Sequence, residues 1–208
     1  EWKMRVMRAV DIPLTYGGKA HFMIQNVLAA VLAAQVQGIR IEDMKVALET
    51  FIPSAAQTPG RLNLFEFENF SILLDYAHNP AGMRALKQFA DNIEASHKVC
   101  IIAGIGDRRV EDNNMMGSIA AEMADEIIIR QGKTEEELIK MLEDGIKMKD
   151  PNIKTTVIPS EKEAITYAVN NARKRSLIIL CSDVVPDALE LVQKFKAQEA
   201  SGEKVFAE

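Results

Sequence analysis

The sequence predicts an α/β protein: a Rossmann-like, doubly wound, mostly parallel sheet with helices on both faces, preceded by a small helical segment. Three observations predict it. The strands expected near 98–103 and 177–181 are continuous apolar runs after Lys98, the pattern of parallel strands buried on both faces. From about residue 80 onward, helical and strand patterns alternate strictly, as repeated βα units do. A stretch rich in turn residues, 52–60, separates that alternation from a purely helical start.

Each element has a local reason. Residues 1–13 are short and irregular, with room for one strand. Residues 20–37 are Ala-rich and carry Val27, Leu28, Val31, Leu32 and Val36 at helical spacing, and Gly38 is suited to cap the end. A second helix runs from Glu42 to Thr50, with Glu42 and Asp43 complementing its N-terminal dipole. Pro53, Ser54, Thr58, Pro59 and Gly60 form the best linker, so domains are expected at 1–57 and 58–208. Residues 62–67 and 70–74 read as a hairpin turned at Glu68-Asn69. Helices follow near 80–93, 112–123, 134–148, 160–174 and 186–198. Strands fall near 98–103, 126–130, 155–158 and 177–181. There are no internal repeats and no low-complexity tracts.

Bulk properties narrow the classes. The chain has 208 residues, 48% apolar and 26% charged, enough for one full domain and part of a second, with a real core. The formal net charge is -5 and no basic stripe exists, which argues against a nucleic-acid surface. Cys100 and Cys181 both lie inside apolar runs and read as buried thiols of a reducing compartment, not as a disulfide framework. No signal peptide and no apolar stretch of bilayer length is visible, so a cytoplasmic location is expected. The chain opens at Glu1 with a basic stretch, Lys3 to Arg8, and reads as the end of a longer polypeptide.

The chemistry-bearing residues gather at expected strand ends. Residues 73–80 read Leu-Leu-Asp-Tyr-Ala-His-Asn-Pro: an apolar strand ending in polar groups just before a helix. In open α/β sheets that edge binds ligands. Asp75 there can accept from ribose hydroxyls or serve as a turn acid. His78 can donate to phosphate or be structural. Asn79-Pro80 suits the first turn of a helix. In Thr58-Pro59-Gly60-Arg61, Gly60 permits close backbone approach and Arg61 offers a fork for phosphate; the alternative is a surface arginine after a turn. Gly104-Ile105-Gly106-Asp107-Arg108-Arg109 starts like G-x-G-x-x-G, but Arg109 breaks the dinucleotide fingerprint. Gly17-Gly18-Lys19-Ala20 fails as a P-loop, which would need Gly at position 13 and Ser or Thr at position 20. No P-loop exists in this chain. His21 and Asn26 lie in the opening turns of the first helix, a place for a polar ligand or for capping.

In order, these motifs resemble the C-terminal part of the Mur ligases, which join amino acids to carboxylates using ATP. Asp75-Tyr76-Ala77-His78-Asn79-Pro80 matches the family signature, Pro59-Gly60-Arg61 its domain-junction Gly-Arg, and His21 to Ala30 its His-Asn-x-x-Asn-x-Leu-Ala-Ala helix. In that helix Asn26 matches the second Asn and Met23 replaces the first. Within the family, Pro-Gly-Arg-Leu-Asn-Leu-Phe-Glu and the loop Gly-Asp-Arg-Arg-x-Glu-Asp resemble the cyanophycin synthetase branch. The resemblance implies an amide ligase that adds arginine to the β-carboxylate of poly-aspartate through an acyl phosphate. Its cofactors would be ATP and Mg²⁺, bound mainly by an upstream domain. Residues 1–57 would be the end of the central domain and 58–208 the C-terminal domain. The upstream central domain and an ATP-grasp module would be partners in one polypeptide, with self-association left open.

By position, Arg61, Asp75 and His78 would be catalytic. Asn26, Arg61, Asp75, His78 and Asn79 would hold nucleotide, and no residue of this chain would bind metal. Asp107, Arg108, Arg109, Glu111 and Asp112 would face the substrate, although Glu111 and Asp112 also fit a solvated helix start. Alone, without a P-loop, the chain is expected to be inactive. Three alternatives stand beside this one: the C-terminal domain of a peptidoglycan Mur ligase or folylpolyglutamate synthase; a non-catalytic nucleotide-binding or assembly module; and a nicotinamide oxidoreductase, disfavoured by Arg109.

Overall fold

In a computed structural model, residues 5–106, 109–132, 136–202 and 205 are described. The chain divides into two compact units between Gln57 and Thr58.

The first unit is helical. Its start holds two 3-10 turns, Ala9–Asp11 and Pro13–Thr15, and no strand among residues 5–13. The room left for a strand is thus corrected. Pro13 cannot donate to a ladder. The Thr15 hydroxyl donates to Ala9 O at 2.6 Å and closes the segment on itself. Helix α1 spans His21–Val36 and α2 spans Ile41–Thr50. Between them Gly38 takes a left-handed φ of 75° while the Ile39 amide donates to Ala34 O at 3.1 Å, which terminates α1.

The second unit is a six-stranded sheet in the order β1-β2-β6-β3-β4-β5. Its strands are β1 Asn63–Glu66, β2 Phe70–Asp75, β3 His97–Ile102, β4 Glu126–Arg130, β5 Lys154–Ile158 and β6 Ser176–Cys181. Only β1 is antiparallel, paired with β2 across the Glu68-Asn69 turn, where the Phe67 amide donates to Phe70 O at 2.9 Å. The other four pairings are parallel. Helices α3 Pro80–Ala90, α4 Val110–Met123, α5 Glu136–Lys149, α6 Glu161–Asn170 and α7 Val185–Ala200 connect or follow the strands.

The order fixes the layers. The chain steps outward from β3 to β4 to β5, then returns to insert β6 between β2 and β3. Right-handed crossovers therefore place α6 on the face opposite α4 and α5. Helices α3, α4 and α5 pack together, and α6 packs with α7. The apolar runs Ile72–Leu74, Val99–Ile102, Ile127–Ile129 and Leu177–Leu180 fill the space between the layers. Helices α4 and α5 approach through Gly117 and Gly145: a Cβ on Gly117 would overlap the Leu142 carbonyl, and one on Gly145 the Asn114 carbonyl.

The strand order reverses at β6, and its neighbours β2 and β3 lead into α3 and α4 on the other face. Their carboxyl ends thus open at a topological switch point, where ligands bind in such sheets.

Candidate functional site

At the end of β2, Asp75 is the organising residue. It is 7% exposed, and its Oδ2 accepts from the Leu62 amide at 2.9 Å. Leu62 needs that anchor, since it is fully buried at a left-handed φ of 48°. The Tyr76 amide donates to Gly60 O at 2.8 Å, and Gly60 N donates to the Asn63 side chain at 2.7 Å. The loop carrying Arg61 is therefore stitched to the strand end from both sides. Gly60 itself has φ 69°, and a Cβ there would stand 2.6 Å from Val185 Cγ2 at the start of α7. Burial raises the Asp75 pKa above its ordinary value; the Leu62 amide, Arg61, the Ala77 amide and His78 oppose that rise.

Three side chains project from this frame. The Arg61 guanidinium lies over the Tyr76 ring, 5.1 Å from its centroid. The Tyr76 and His78 rings are 4.5 Å apart, and His78 Nδ1 sits 3.1 Å from Tyr76 O. Arg61 is exposed and Tyr76 and His78 are half-buried. Together they form a cation-and-aromatic ledge at the switch point, able to meet an anion or an aromatic base. Asn79 plays another part. Its side chain accepts from the Gly82 amide at 2.8 Å and caps α3, with Pro80 in the first turn.

The loop after β3 is held by a residue that sequence reasoning missed. Asn113, fully buried, accepts from Ile105 N at 3.0 Å and donates to Ile105 O at 3.1 Å. The signal was present: Asn113 falls on the same helical stripe as buried Met116, Ala120 and Met123. A polar residue on an apolar stripe asks for a partner. Of the five expected substrate residues, Asp107 and Arg108 lie outside the described residues. Arg109 and Asp112 pair with each other at 3.3 Å across the first turn of α4, and Glu111 is exposed beside them.

A second cluster, also unforeseen, lies farther along the same edge. Arg130 ends β4 with its side chain 11% exposed, and its Nη2 lies 2.5 Å from Asp183 Oδ1. Its Nε faces Glu161 Oε2 at 3.5 Å, ion-pair distance without a hydrogen bond. Ser182 donates to Glu161 Oε1 at 2.9 Å and accepts from the Val184 amide at 3.1 Å. Burial, first, raises the Glu161 pKa above its ordinary value, aided by Asp183 and Asp187; the Ser182 hydroxyl and Arg130 oppose this. An arginine directly after Ile127-Ile128-Ile129 was the available sign, because a buried cation needs partners.

Asn26 belongs to the first unit, exposed on α1, where its Nδ2 lies 3.6 Å from Met23 Sδ. The structure thus brings Arg61, Asp75 and His78 into one cluster and assigns Asn79 to a helix cap. Among the described residues no three His, Cys, Asp or Glu side chains are grouped to hold a metal. Also among them, no helix is long and apolar enough to cross a membrane.

Comparison with known proteins fits this geometry. Residues 60–184 match the model of the Mur ligase glutamate ligase domain. Cyanophycin synthetase of Geminocystis herdmanii is 39% identical over 200 residues, 94% of this chain but 23% of that protein. The UDP-N-acetylmuramoyl-L-alanyl-D-glutamate--2,6-diaminopimelate ligase of Caldanaerobacter subterraneus is 33% identical over 164 residues, 76% of this chain and 33% of that protein. Among solved structures, E. coli FolC in complex with ADP has a TM-score of 0.63 at 16% identity, covering 83% of this chain and 40% of its own, which is a likeness of fold.

Proposed function

The chain belongs to the Mur ligase family, and on that premise we propose that it is the C-terminal part of an ATP-dependent amide ligase of the cyanophycin synthetase type. One observation carries the reading: 39% identity to a cyanophycin synthetase runs through both units, over 94% of the chain. The remaining three quarters of such a protein we place upstream, as the central domain with its P-loop and an ATP-grasp module.

In this reading a side-chain carboxylate of poly-aspartate attacks the γ-phosphorus of ATP, giving an acyl phosphate and ADP. The α-amine of arginine then attacks the acyl carbon and loses a proton. The C–O bond to phosphate breaks, and inorganic phosphate leaves. Negative charge grows on phosphoryl oxygens in the first step and on the acyl oxygen in the second, so preorganised cations lower both barriers. Arg61 suits that role, being exposed and having its guanidinium braced on Tyr76. Asp75 holds the Arg61 loop and keeps acceptor capacity for a ribose hydroxyl. His78 orders the nucleotide side of the ledge, with Asn79 fixing the turn behind it. Asn26 stands near the adenine. Asp107 and Arg108, with Arg109, Glu111 and Asp112, face the amino-acid substrate. Mg²⁺, when bound, would screen the phosphate charge, and its ligands belong to the upstream part.

The test is arginine- and primer-dependent ATP turnover. The full-length product of the gene should turn over, Arg61→Ala should reduce it strongly, and the 208 residues alone should be inactive. Robust turnover by the isolated chain would overturn the proposal. A second reading, a diaminopimelate-type peptidoglycan ligase, is favoured by the 33% identity to one. It predicts turnover with a muropeptide acceptor instead of poly-aspartate.

A further inference from the structure

Ser182, directly after β6, is 1% exposed and takes part in three hydrogen bonds. Its amide donates to Asp75 O at the end of β2, at 3.0 Å. Its hydroxyl donates to Glu161 Oε1 at 2.9 Å and accepts from the Val184 amide at 3.1 Å. One small residue thereby fastens three elements: the carboxyl end of β2, the first residue of α6 and the residue that precedes α7. Both hydroxyl bonds answer a local need. Val184 is the N-cap residue of α7, but its side chain caps nothing, and amides at a helix start need an outside acceptor. The other Glu161 oxygen, Oε2, is buried without a hydrogen bond, so the hydroxyl is what orients that carboxylate.

The same fastening reaches both flanks of Arg61. On one side, Val185 follows the held Val184 and fills the space before Gly60, where a Cβ would stand 2.6 Å from Val185 Cγ2. Gly60 O in turn accepts from the Tyr76 amide, and the Tyr76 ring lies under the Arg61 guanidinium. On the other side, Asp75, whose carbonyl Ser182 holds, anchors the Leu62 amide through its carboxylate. Alanine at position 182 would keep the bond to Asp75 and lose both hydroxyl bonds, leaving a buried carboxylate and a helix-start amide without them. A misplacement of about 1 Å in a group that meets the reacting atoms can cost about a hundredfold in rate. We propose that Ser182 is a positioning residue for Arg61: its hydroxyl fixes the turn from β6 to α7, and that turn fixes the loop carrying the cation. Ser182 is itself closed to substrate and acts through Arg61. This rests on the proposed ligase role of Arg61.

A double-mutant cycle in the full-length product of the gene tests it, with arginine- and primer-dependent ATP turnover as the readout. Ser182→Ala should lower kcat about tenfold or more. With Arg61→Ala already present it should lower kcat no further, because the cation it positions is gone. Ser182→Thr, which keeps a hydroxyl, should restore most of the turnover. Equal fold-losses with and without Arg61 overturn the inference, since a merely structural hydroxyl acts alike on both backgrounds. So does normal turnover in Ser182→Ala. If Ser182→Ala fails to fold, the cycle is run with Glu161→Gln in every member, where the group left behind is a neutral amide, and the same outcomes decide. Arginine footprinting of the 208-residue chain with phenylglyoxal gives a readout independent of activity. Arg61 should react about threefold faster in Ser182→Ala, as a loop released from its anchors opens locally. Exposed Arg173 serves as the internal reference. An unchanged rate at Arg61 overturns this inference and leaves the proposed function standing. Normal turnover in Arg61→Ala, or none that depends on arginine in the unaltered protein, overturns the proposed function instead, while the footprint still reports whether Ser182 holds the loop.

Discussion

The two ends of one sheet edge are held by opposite means. Around β2 a buried carboxylate, Asp75, is satisfied by a backbone amide, and the cation beside it, Arg61, is left facing solvent. Around β4 and β6 a buried cation, Arg130, is paired with Glu161 and Asp183, and no cation is left over to project. The difference teaches which end can act. A charge already paired in a low-dielectric site has little left for a ligand and mostly organises the loops around it. A charge left exposed and braced on an aromatic ring remains available. We therefore propose the β2 end as the one that binds, and the β4–β6 end as the one that holds the edge in shape. They touch where Gly60 meets Val185 and where the Ser182 amide donates to Asp75 O at 3.0 Å.

The largest effect should come from the self-neutralised end. Arg130→Met leaves Glu161 and Asp183 without their cation. It should cost about 3–5 kcal/mol in denaturant unfolding, the usual penalty for breaking a buried pair. Adding Glu161→Gln and Asp183→Asn should recover most of that loss. If the single substitution costs nothing, the two ends do not differ as described.

Next is Asp75→Ala, which strips the buried Leu62 amide of its acceptor. A loss of about 1–3 kcal/mol is expected, with Arg61 footprinting changed as its loop is released. A comparable loss, about 1–3 kcal/mol, is expected of Gly60→Ala, because a Cβ there crowds Val185 and sits on a left-handed backbone.

The pH dependence sharpens the contrast further. Asp75 and Glu161 both have folded pKa values raised above their ordinary 3.8 and 4.5. The folded state therefore binds more protons than the unfolded one in that window, and stability falls as pH rises. Their contribution is fully present below the ordinary values and is lost as pH climbs through the raised ones. Asp75→Asn should flatten that part of the profile, and Glu161→Gln should do the same in a background where Arg130 is retained. The difference from the unaltered chain is what counts, since Asp11, Glu122 and Glu199, with lowered pKa values, make stability rise over the same range; an unchanged slope in either variant would contradict its assignment.

The smallest effect on stability is expected from the residue most exposed to function. Arg61→Ala should shift unfolding by no more than about 0.5 kcal/mol, as for surface substitutions generally. In the full-length protein it should lower arginine-dependent turnover far more than that. A large loss of stability would make Arg61 a structural residue.

Much of this was legible in the residues. The apolar runs of β3 and β6 could only be parallel strands covered on both sides, and the hairpin announced itself at Glu68-Asn69. The cluster of Arg61, Asp75 and His78 was readable because a strand end before a helix start is a fixed place in such sheets. Asn113 and Arg130 were not recognised. Both are polar residues whose partners lie elsewhere in the chain: Ile105 for one, Glu161 and Asp183 for the other. The start of the chain was read as irregular with room for one strand; residues 5–13 hold none, because Thr15 folds them back through a side-chain bond that no periodicity displays.

What the sequence determined by itself was the class of each element and the family of the chain, because hydrophobic period and short motifs are local properties. The tertiary structure alone decided the strand order, with β6 inserted between β2 and β3. It also decided which charges are spent within the fold and which remain. Those outcomes depend on contacts between residues far apart in the chain, and their sign depends on burial, which no local pattern of residues reports.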